Sequence, residues 1–274
     1  MYHIVRRKIG VIDCLVAYRK VVCCNNVFEV YEYEKEPGLK DIRDRDDDYN
    51  PLDLENTTLH IESLDRTEER RKQTVRDARN TTRRLALMNF SSGDKFLTLT
   101  FDPKRANEED IRSIDFVDKE FKKFIQRFNY KFEVKLKYIA VREFHKSGRL
   151  HLHMLCSFPF KFDGEEDIKH WERFIGEKVW KHGFVDIKVI DHVDNVGAYL
   201  IKYMTKNLSI ELFKGKKVYL PSKGLERPFV YRGDEAERII ELYGLDNKKE
   251  VFTNSYESEY LGTINYKEYN LKRS

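Results

Sequence analysis

The sequence predicts an α+β fold in which helices pack on one side of a central antiparallel sheet. Segments with alternating apolar residues, such as FLTLTF at 96–101, are typical of half-buried strands, whereas apolar residues three and four positions apart indicate amphipathic helices. From residue 96 onwards these segments follow the order β-α-β-β-α-β-α. That order is typical of a split βαβ, or ferredoxin-like, arrangement.

The strand at 96–101 ends at an Asp-Pro pair, after which an amphipathic helix is predicted over Phe116–Phe128. Its inward positions are apolar: Val117, Phe121, Phe124, Ile125 and Phe128. Two strands, 135–144 and 149–158, are predicted to form a hairpin around Ser147 and Gly148. A helix over Ile168–Trp180, a strand over 184–190 and a helix over 192–206 complete the order, and the last helix has Val196, Leu200 and Met204 as its core stripe.

We divide the chain into three parts. Residues 1–64 form a strand-rich segment followed by an acidic linker, residues 65–208 the core, and residues 209–274 an extension of short strands with a helix near 234–243. The core begins with a predicted helix from Thr67 to Leu87. One stripe of this helix is basic, and we expect it to contact a DNA backbone if the rest of the protein handles nucleic acid: Lys72, Arg76, Arg79 and Arg83.

Composition narrows the possible classes. The net charge is only +4, and no stretch approaches the ~18 apolar residues of a membrane span, so we expect no membrane partner. The 4 cysteines show no C-x-x-C spacing, which disfavours a structural zinc site and favours reduced thiols. No phosphate-binding G-x-x-x-x-G-K-[ST] motif occurs, so no nucleotide cofactor is expected.

The stretch GRLHLHML at 148–155 holds two of the 8 histidines. In a strand, residues two apart share a face, so His151 and His153 point the same way. With a three-residue loop of Lys146, Ser147 and Gly148, Glu143 would face His151, although a one-residue slip would move it to the other face. In the assumed register, two imidazoles and a carboxylate form a set that suits a divalent metal ion.

A second group of polar residues lies on the helix predicted at 192–206. Tyr199, Lys202, Tyr203 and Lys206 form one stripe beside the core stripe. Two phenols interleaved with two ammonium groups make a poor buried face but a good one for a phosphate. A tyrosine can act as a nucleophile when its proton is removed, and a nearby lysine supplies positive charge. Ordinary surface residues are the alternative, since the chain has 16 tyrosines.

In this order, FLTLTF, REFHKSGRLHLHML and YLIKY resemble the three motifs of the HUH endonucleases, in the branch of rolling-circle replication initiators of phages and plasmids. The second tyrosine of YLIKY resembles that of the two-tyrosine initiators of small phages. The resemblance covers about residues 66–232, including the arginine-rich helix and LPSKGLERP. Each motif alone is weak, whereas all three in order on the expected elements are specific.

The resemblance implies roles for the matching positions only. His151 and His153 would bind Mg²⁺ or Mn²⁺ with Glu143 as the third ligand. Tyr199 would be the first nucleophile and Tyr203 the second, while Lys202 would position the phosphate. His145 has no counterpart and is left out of the ligand set.

The implied function is metal-dependent nicking and rejoining of one DNA strand at an origin through a 5′-phosphotyrosine. Single-stranded or supercoiled origin DNA would be the substrate, a host helicase and polymerase the partners, and the cytoplasm of a bacterial host the location. Two alternatives stay open: a two-tyrosine transposase of the same superfamily, and a DNA-binding regulator without catalysis. A conjugative relaxase and a zinc hydrolase fit the motif order and the tyrosine–lysine face less well.

Overall fold

The computed structural model describes residues 18–37, 64–145, 147–190, 194–204, 216–258 and 260–273, and of residues 64–72 it describes only the backbone. Its strands are β1 (Tyr18–Cys24), β2 (Val27–Tyr33), β3 (Lys95–Phe101), β4 (Tyr138–Phe144), β5 (Leu150–Cys156), β6 (Gly183–Val189), β7 (Tyr219–Pro221), β8 (Phe229–Arg232), β9 (Phe252–Ser258) and β10 (Gly262–Asn270). Its α-helices are α1 (Leu64–Asn89), α2 (Ile114–Phe132), α3 (Gly164–Phe174), α4 (Val196–Ile201) and α5 (Asp234–Tyr243). The α+β class is therefore confirmed.

The described residues belong to two compact units, a terminal unit within 1–50 and 229–274 and a central unit within 51–228. The terminal unit is a five-stranded antiparallel sheet in the order β8-β1-β2-β10-β9. Apolar side chains on one face of this sheet, including Val21, Phe28 and Val30, pack against Ala236 and Ile240 of α5. The sequence division treats the two ends of the chain as separate parts, whereas here both contribute strands to one sheet.

The central unit is built on a second five-stranded antiparallel sheet, in the order β6-β3-β5-β4-β7. The hairpin strand β5 lies between β3 and β4, so the two strands that flank α2 in sequence are not neighbours in the sheet. The short strand β7 extends the sheet beyond β4, where Ser222 donates its backbone N–H to the carbonyl of Tyr138 at 2.8 Å.

One face of the central sheet is covered by α2 and α3. Leu97, Leu99, Leu152 and Met154 alternate along β3 and β5 on this side and are fully buried. From α2, the predicted core positions Val117, Phe121, Phe124 and Phe128 are buried against them. Ser113 caps α2 by accepting a hydrogen bond from the N–H of Phe116, which fixes where the helix begins.

The prediction that helices pack on one side only is wrong, because α1 and α4 cover part of the opposite face. There Phe96, Ile139, Val141 and Leu155 are buried against apolar residues of the two helices, among them Ala78, Leu85, Ala86, Val196 and Leu200. The cause is visible in the strands: both sets of alternating residues contain apolar side chains, so each face needs a cover.

Several predicted boundaries differ from the structure. The helix predicted over 192–206 is a short α-helix, α4, followed by a 3₁₀ turn at Lys202–Met204, and residues 205–215 lie outside the described residues. The helix predicted over Ile168–Trp180 begins earlier and ends in a π-helical segment, Ile175–Trp180. The predicted core stripe Val196, Leu200 and Met204 is confirmed, since all three side chains are buried.

Candidate active site

The face of the central sheet that carries α1 and α4 is only partly covered, and its remaining part is polar. We call this part the site face and define it by Thr98 and Thr100 of β3, His151 and His153 of β5, and Glu143 of β4. The strand registers place these residues side by side: Thr98 is opposite His153, and Thr100 is opposite His151. Alternation along each strand turns them away from the packed core.

The hairpin between β4 and β5 has the register assumed from the sequence. Glu143 is the cross-strand partner of His151, and the backbone N–H of His145 donates to the carbonyl of Arg149 at 2.8 Å. Gly148 has a φ of 80°, the left-handed conformation that such a loop requires of one residue. This prediction is therefore confirmed, and Glu143 lies on the same face as both histidines.

His153 is held from two sides. Its Nε2 lies 2.6 Å from Oε2 of Glu143, and its Nδ1 lies 3.2 Å from Oγ1 of Thr98. Burial lowers the pKa of His153 to about 4, although the hydrogen bond to Glu143 acts in the opposite direction. The imidazole is thus neutral at neutral pH. Because a carboxylate only accepts, Nε2 carries the proton and Thr98 donates to Nδ1.

His151 has a similar partner on β3, since its Nδ1 lies 3.4 Å from Oγ1 of Thr100. Burial lowers the pKa of His151, and the neighbouring His145 acts in the same direction. The ring of His145 stacks beside it at a centroid distance of 5.5 Å. An imidazole that the sequence interpretation left out of the site therefore lies next to one that it included.

The donor chemistry of the site face fits a hard or borderline divalent cation. Both threonines engage Nδ1, which orients each ring so that Nε2 is the remaining ligand atom. In the part of the chain that the structure describes, however, no three His, Cys, Asp or Glu side chains are grouped so that they could hold an ion. Glu143 instead bonds directly to His153, and this carboxylate would have to turn for both groups to share a metal. The ligand set stays a prediction.

Helix α4 is positioned over the site face by two local features. Asn195 caps it, because its Oδ1 accepts a hydrogen bond from the N–H of Ala198 at 2.8 Å. Gly197 packs so closely on α1 that an added Cβ would lie 2.4 Å from the carbonyl oxygen of Arg83. Only glycine permits this approach, which sets how far the helix projects its tyrosines.

The structure brings Tyr199, Lys202 and Tyr203 together against the site face. The ring of Tyr203 stacks on His153 with 3.8 Å between centroids, while Tyr199 lies edge-on against Phe96 at 4.8 Å. Lys202 Nζ lies 3.7 Å from the ring centroid of Tyr199 and 5.0 Å from that of Tyr203. Two phenols, one ammonium group and two imidazoles thus form one cluster.

The two phenols differ in their surroundings. Burial raises the pKa of Tyr203 well above its usual range, and three further groups act in the same direction: the hydroxyl of Tyr199 and the negative charges of Glu143 and Asp186. Tyr203 is therefore protonated at neutral pH in this arrangement. Tyr199, by contrast, lies closer to the positive charge of Lys202.

The predicted DNA-binding stripe is exposed only in part. Arg76 is exposed and Arg79 is half-buried, whereas Arg83 is only 8% exposed beneath α4. Arg83 therefore offers little surface to DNA. The side chain of Lys72 and the whole of Lys206 lie outside the described residues.

Sequence reasoning missed the contacts that Phe96, Thr98 and Thr100 make with the predicted residues. The signal was present in FLTLTF, where the two threonines share a face, but their partners depend on the pairing of β3 with β5. Asp186 was missed as well. It lies on β6 opposite Thr98, on the same face, although nothing in its local sequence sets it apart.

Within the described residues, no helix is long and apolar enough to cross a membrane. No curated protein and no solved structure matches the chain. Residues 94–208 match the family model of the replication-associated protein ORF2, and this segment runs from β3 past α4, so it contains the whole site face and its tyrosines. The match supports a role as a replication initiator, with DNA as the partner.

Proposed function

We propose that this protein is a rolling-circle replication initiator that nicks and rejoins one DNA strand through a tyrosine–DNA linkage. The observation that carries the proposal is the contact between the tyrosine–lysine cluster and the histidine pair, with Tyr203 stacked on His153 at 3.8 Å. A candidate nucleophile thus lies directly beside candidate metal ligands, within the segment that matches replication-associated proteins.

The sheet order is consistent with an HUH nuclease core of the ferredoxin-like kind. In β6-β3-β5-β4 the hairpin strand separates the two strands that flank α2, which is the split βαβ arrangement. In this arrangement the two histidines occupy a central strand of the sheet, and α4 carries the tyrosines over them.

In the proposed reaction, the phenolic oxygen of a tyrosine attacks the phosphorus of a DNA phosphodiester. A bond from phosphorus to the tyrosine oxygen forms, and the bond from phosphorus to the 3′-oxygen breaks. The 3′-oxygen takes up a proton and leaves as a free hydroxyl, while the 5′-phosphate stays on the tyrosine. The reverse attack by a 3′-hydroxyl rejoins the strand without ATP, because the phosphotyrosine conserves the energy of the bond.

The chain's own residues would have distinct tasks in this reaction. Lys202 would place positive charge next to the attacking phenol and the phosphate, and Tyr199 would make the first cut because its ring is closer to Lys202 Nζ. Glu143, His151 and His153 would hold Mg²⁺ or Mn²⁺, which when bound polarises the scissile phosphate. The free 3′-hydroxyl would prime a host polymerase, and a host helicase would unwind the duplex in the bacterial cytoplasm.

The decisive experiment is incubation of the purified chain with single-stranded fragments of candidate origins and Mn²⁺, followed by denaturing gel analysis. We expect a covalent protein–DNA adduct that is lost when a chelator is added. Undiminished nicking in chelator would contradict the metal requirement. Sequence-specific DNA binding without any adduct would favour a regulator that lacks catalysis.

Three tyrosine variants test the assignment of the nucleophiles. Tyr199→Phe should lose most of the initial nicking, whereas Tyr203→Phe should still nick but stall with the protein attached, since no second nucleophile cuts the regenerated origin. The double variant should form no adduct. Mass spectrometry of the adduct peptide decides between the residues: a linkage found only at Tyr203, or outside α4 and the following turn, would overturn this assignment.

A further inference from the structure

An aromatic side chain lies on the open side of the site face without a packing role. Phe184 on β6 is 65% exposed, although its strand neighbours Val185 and Ile187 are buried in the core. By register, Phe184 is opposite Thr100 on β3, and Thr100 is opposite His151 on β5. The exposed ring therefore occupies the same row of the sheet as the histidine pair.

The backbone fixes Phe184 in this row. At the preceding position, a Cβ on Gly183 would lie 2.2 Å from the carbonyl oxygen of Thr100 and 2.6 Å from the N–H nitrogen of Asp102. Only glycine permits such close pairing of β6 with β3. The ladder that starts there continues to Lys95 and Val189, so the strand has little freedom to slide and bury the ring.

Exposed apolar residues are common on protein surfaces, so exposure alone identifies nothing. The position of Phe184 is more informative, because two strand spacings, roughly 10 Å, separate it from His151. The other outward residues of the strand, Asp186 and Lys188, pair with each other at 3.6 Å, so this edge carries no net charge that would repel DNA. An open aromatic face beside a candidate phosphate site is what a nucleobase stacks on.

We propose that Phe184 forms a nucleobase subsite, on which a base of single-stranded DNA next to the scissile phosphate stacks. This inference rests on the proposed function, since it deepens the substrate recognition of the same face. Stacking on Phe184 would hold the strand unpaired across the sheet. Because every base has a π-face, the subsite would favour single-stranded over double-stranded DNA without reading the sequence.

The test uses binding rather than cleavage. The probe is a single-stranded oligonucleotide that contains the fluorescent base 2-aminopurine, whose emission falls when it stacks on a ring. Phe184→Ala should bind it roughly 5- to 150-fold more weakly and lose the quenching. Phe184→Trp should bind as tightly as the unchanged chain, because the larger ring restores the stacking surface.

Tyr130→Ala is the matched control, since Tyr130 is 88% exposed on α2 at the opposite face of the sheet. It should leave affinity and quenching unchanged. Equal affinity of Phe184→Ala and the unchanged chain would overturn the subsite, as would a failure of the unchanged chain to bind the probe. Adduct formation is measured separately: stacking without any adduct would contradict the proposed function and leave the subsite standing.

Discussion

On one face of the central sheet, β3 and β5 present Leu97, Leu99, Leu152 and Met154, all fully buried, and on the other face the residues between them are Thr98, Thr100, His151 and His153. The same two strands thus supply the packed core and the candidate site. Because side chains alternate, a polar cluster can be placed on the sheet without a cavity in its core. The comparison separates stability from chemistry, residue by residue.

The sharpest test exchanges neighbours in β5. His153→Ala should abolish adduct formation, because it removes a proposed ligand and the ring on which Tyr203 stacks. Leu152→Ala should instead lower the free energy of unfolding by about 2–5 kcal/mol, since it leaves a cavity in the core. Denaturant unfolding and the gel assay for the adduct measure the two effects on both variants.

The opposite outcome would break the comparison between the faces. If His153→Ala unfolded the chain as severely as Leu152→Ala, or if the folded fraction of Leu152→Ala formed no adduct, the two faces would not be separable. Adduct yields are therefore compared per folded protein, at a temperature where both variants are folded.

A second prediction concerns the placement of the tyrosines above the site face. Gly197→Ala puts a methyl group 2.4 Å from the carbonyl oxygen of Arg83, so α4 must move away from α1. A displacement of about 1 Å at a reacting group can lower the rate about 10²-fold, and we expect a loss of that order in the nicking rate.

The control for this change is Ala198→Ser, at the next position of α4, where the side chain is exposed. It should keep the full nicking rate. Full activity of Gly197→Ala together with unchanged stability would show that the close packing of the two helices does not position the tyrosines.

A third prediction tests the threonines behind the imidazoles. Thr98→Val keeps the shape of the side chain but removes the hydroxyl that bonds to Nδ1 of His153. We expect the affinity for Mn²⁺, measured by calorimetry, to fall about 10- to 100-fold, which is typical when a metal ligand loses its orienting partner.

Thr253→Val serves as its control, because Thr253 is exposed on β9, a strand of the terminal unit that takes no part in the central sheet. Its Mn²⁺ affinity should equal that of the unchanged chain. If Thr98→Val also bound Mn²⁺ normally, the hydroxyl would have no orienting role.

Local periodicity was enough to predict the strands and helices of the central unit, because alternating and helical spacings differ within a few residues. The hairpin register could also be predicted, since Gly148 restricts the loop to few geometries. The pairing of β3 with β5 and β6 could not, because no local pattern records which distant strands meet. For that reason Thr98 was not recognised as a partner of His153, nor Asp186 as part of the site.

The basic stripe on α1 shows the same limit from another side. Helical spacing correctly put Arg76, Arg79 and Arg83 on one stripe, but spacing does not say where a second helix crosses. α4 crosses at Arg83 and buries it, whereas Arg76 stays exposed. Members of one stripe therefore have different tasks.

The smallest expected effect separates these members. Arg76→Ala should weaken binding to single-stranded DNA of any sequence and reduce the slope of log affinity against log salt by about one, as expected for one lost phosphate contact. Arg83→Ala should lower stability and leave the slope unchanged, since the side chain is buried. Lys178→Ala, an exposed change on the opposite side of the sheet, controls for the loss of any positive charge. Fluorescence anisotropy at several salt concentrations gives all three slopes, and an unchanged slope for Arg76→Ala would mean that this part of the stripe is only solvated.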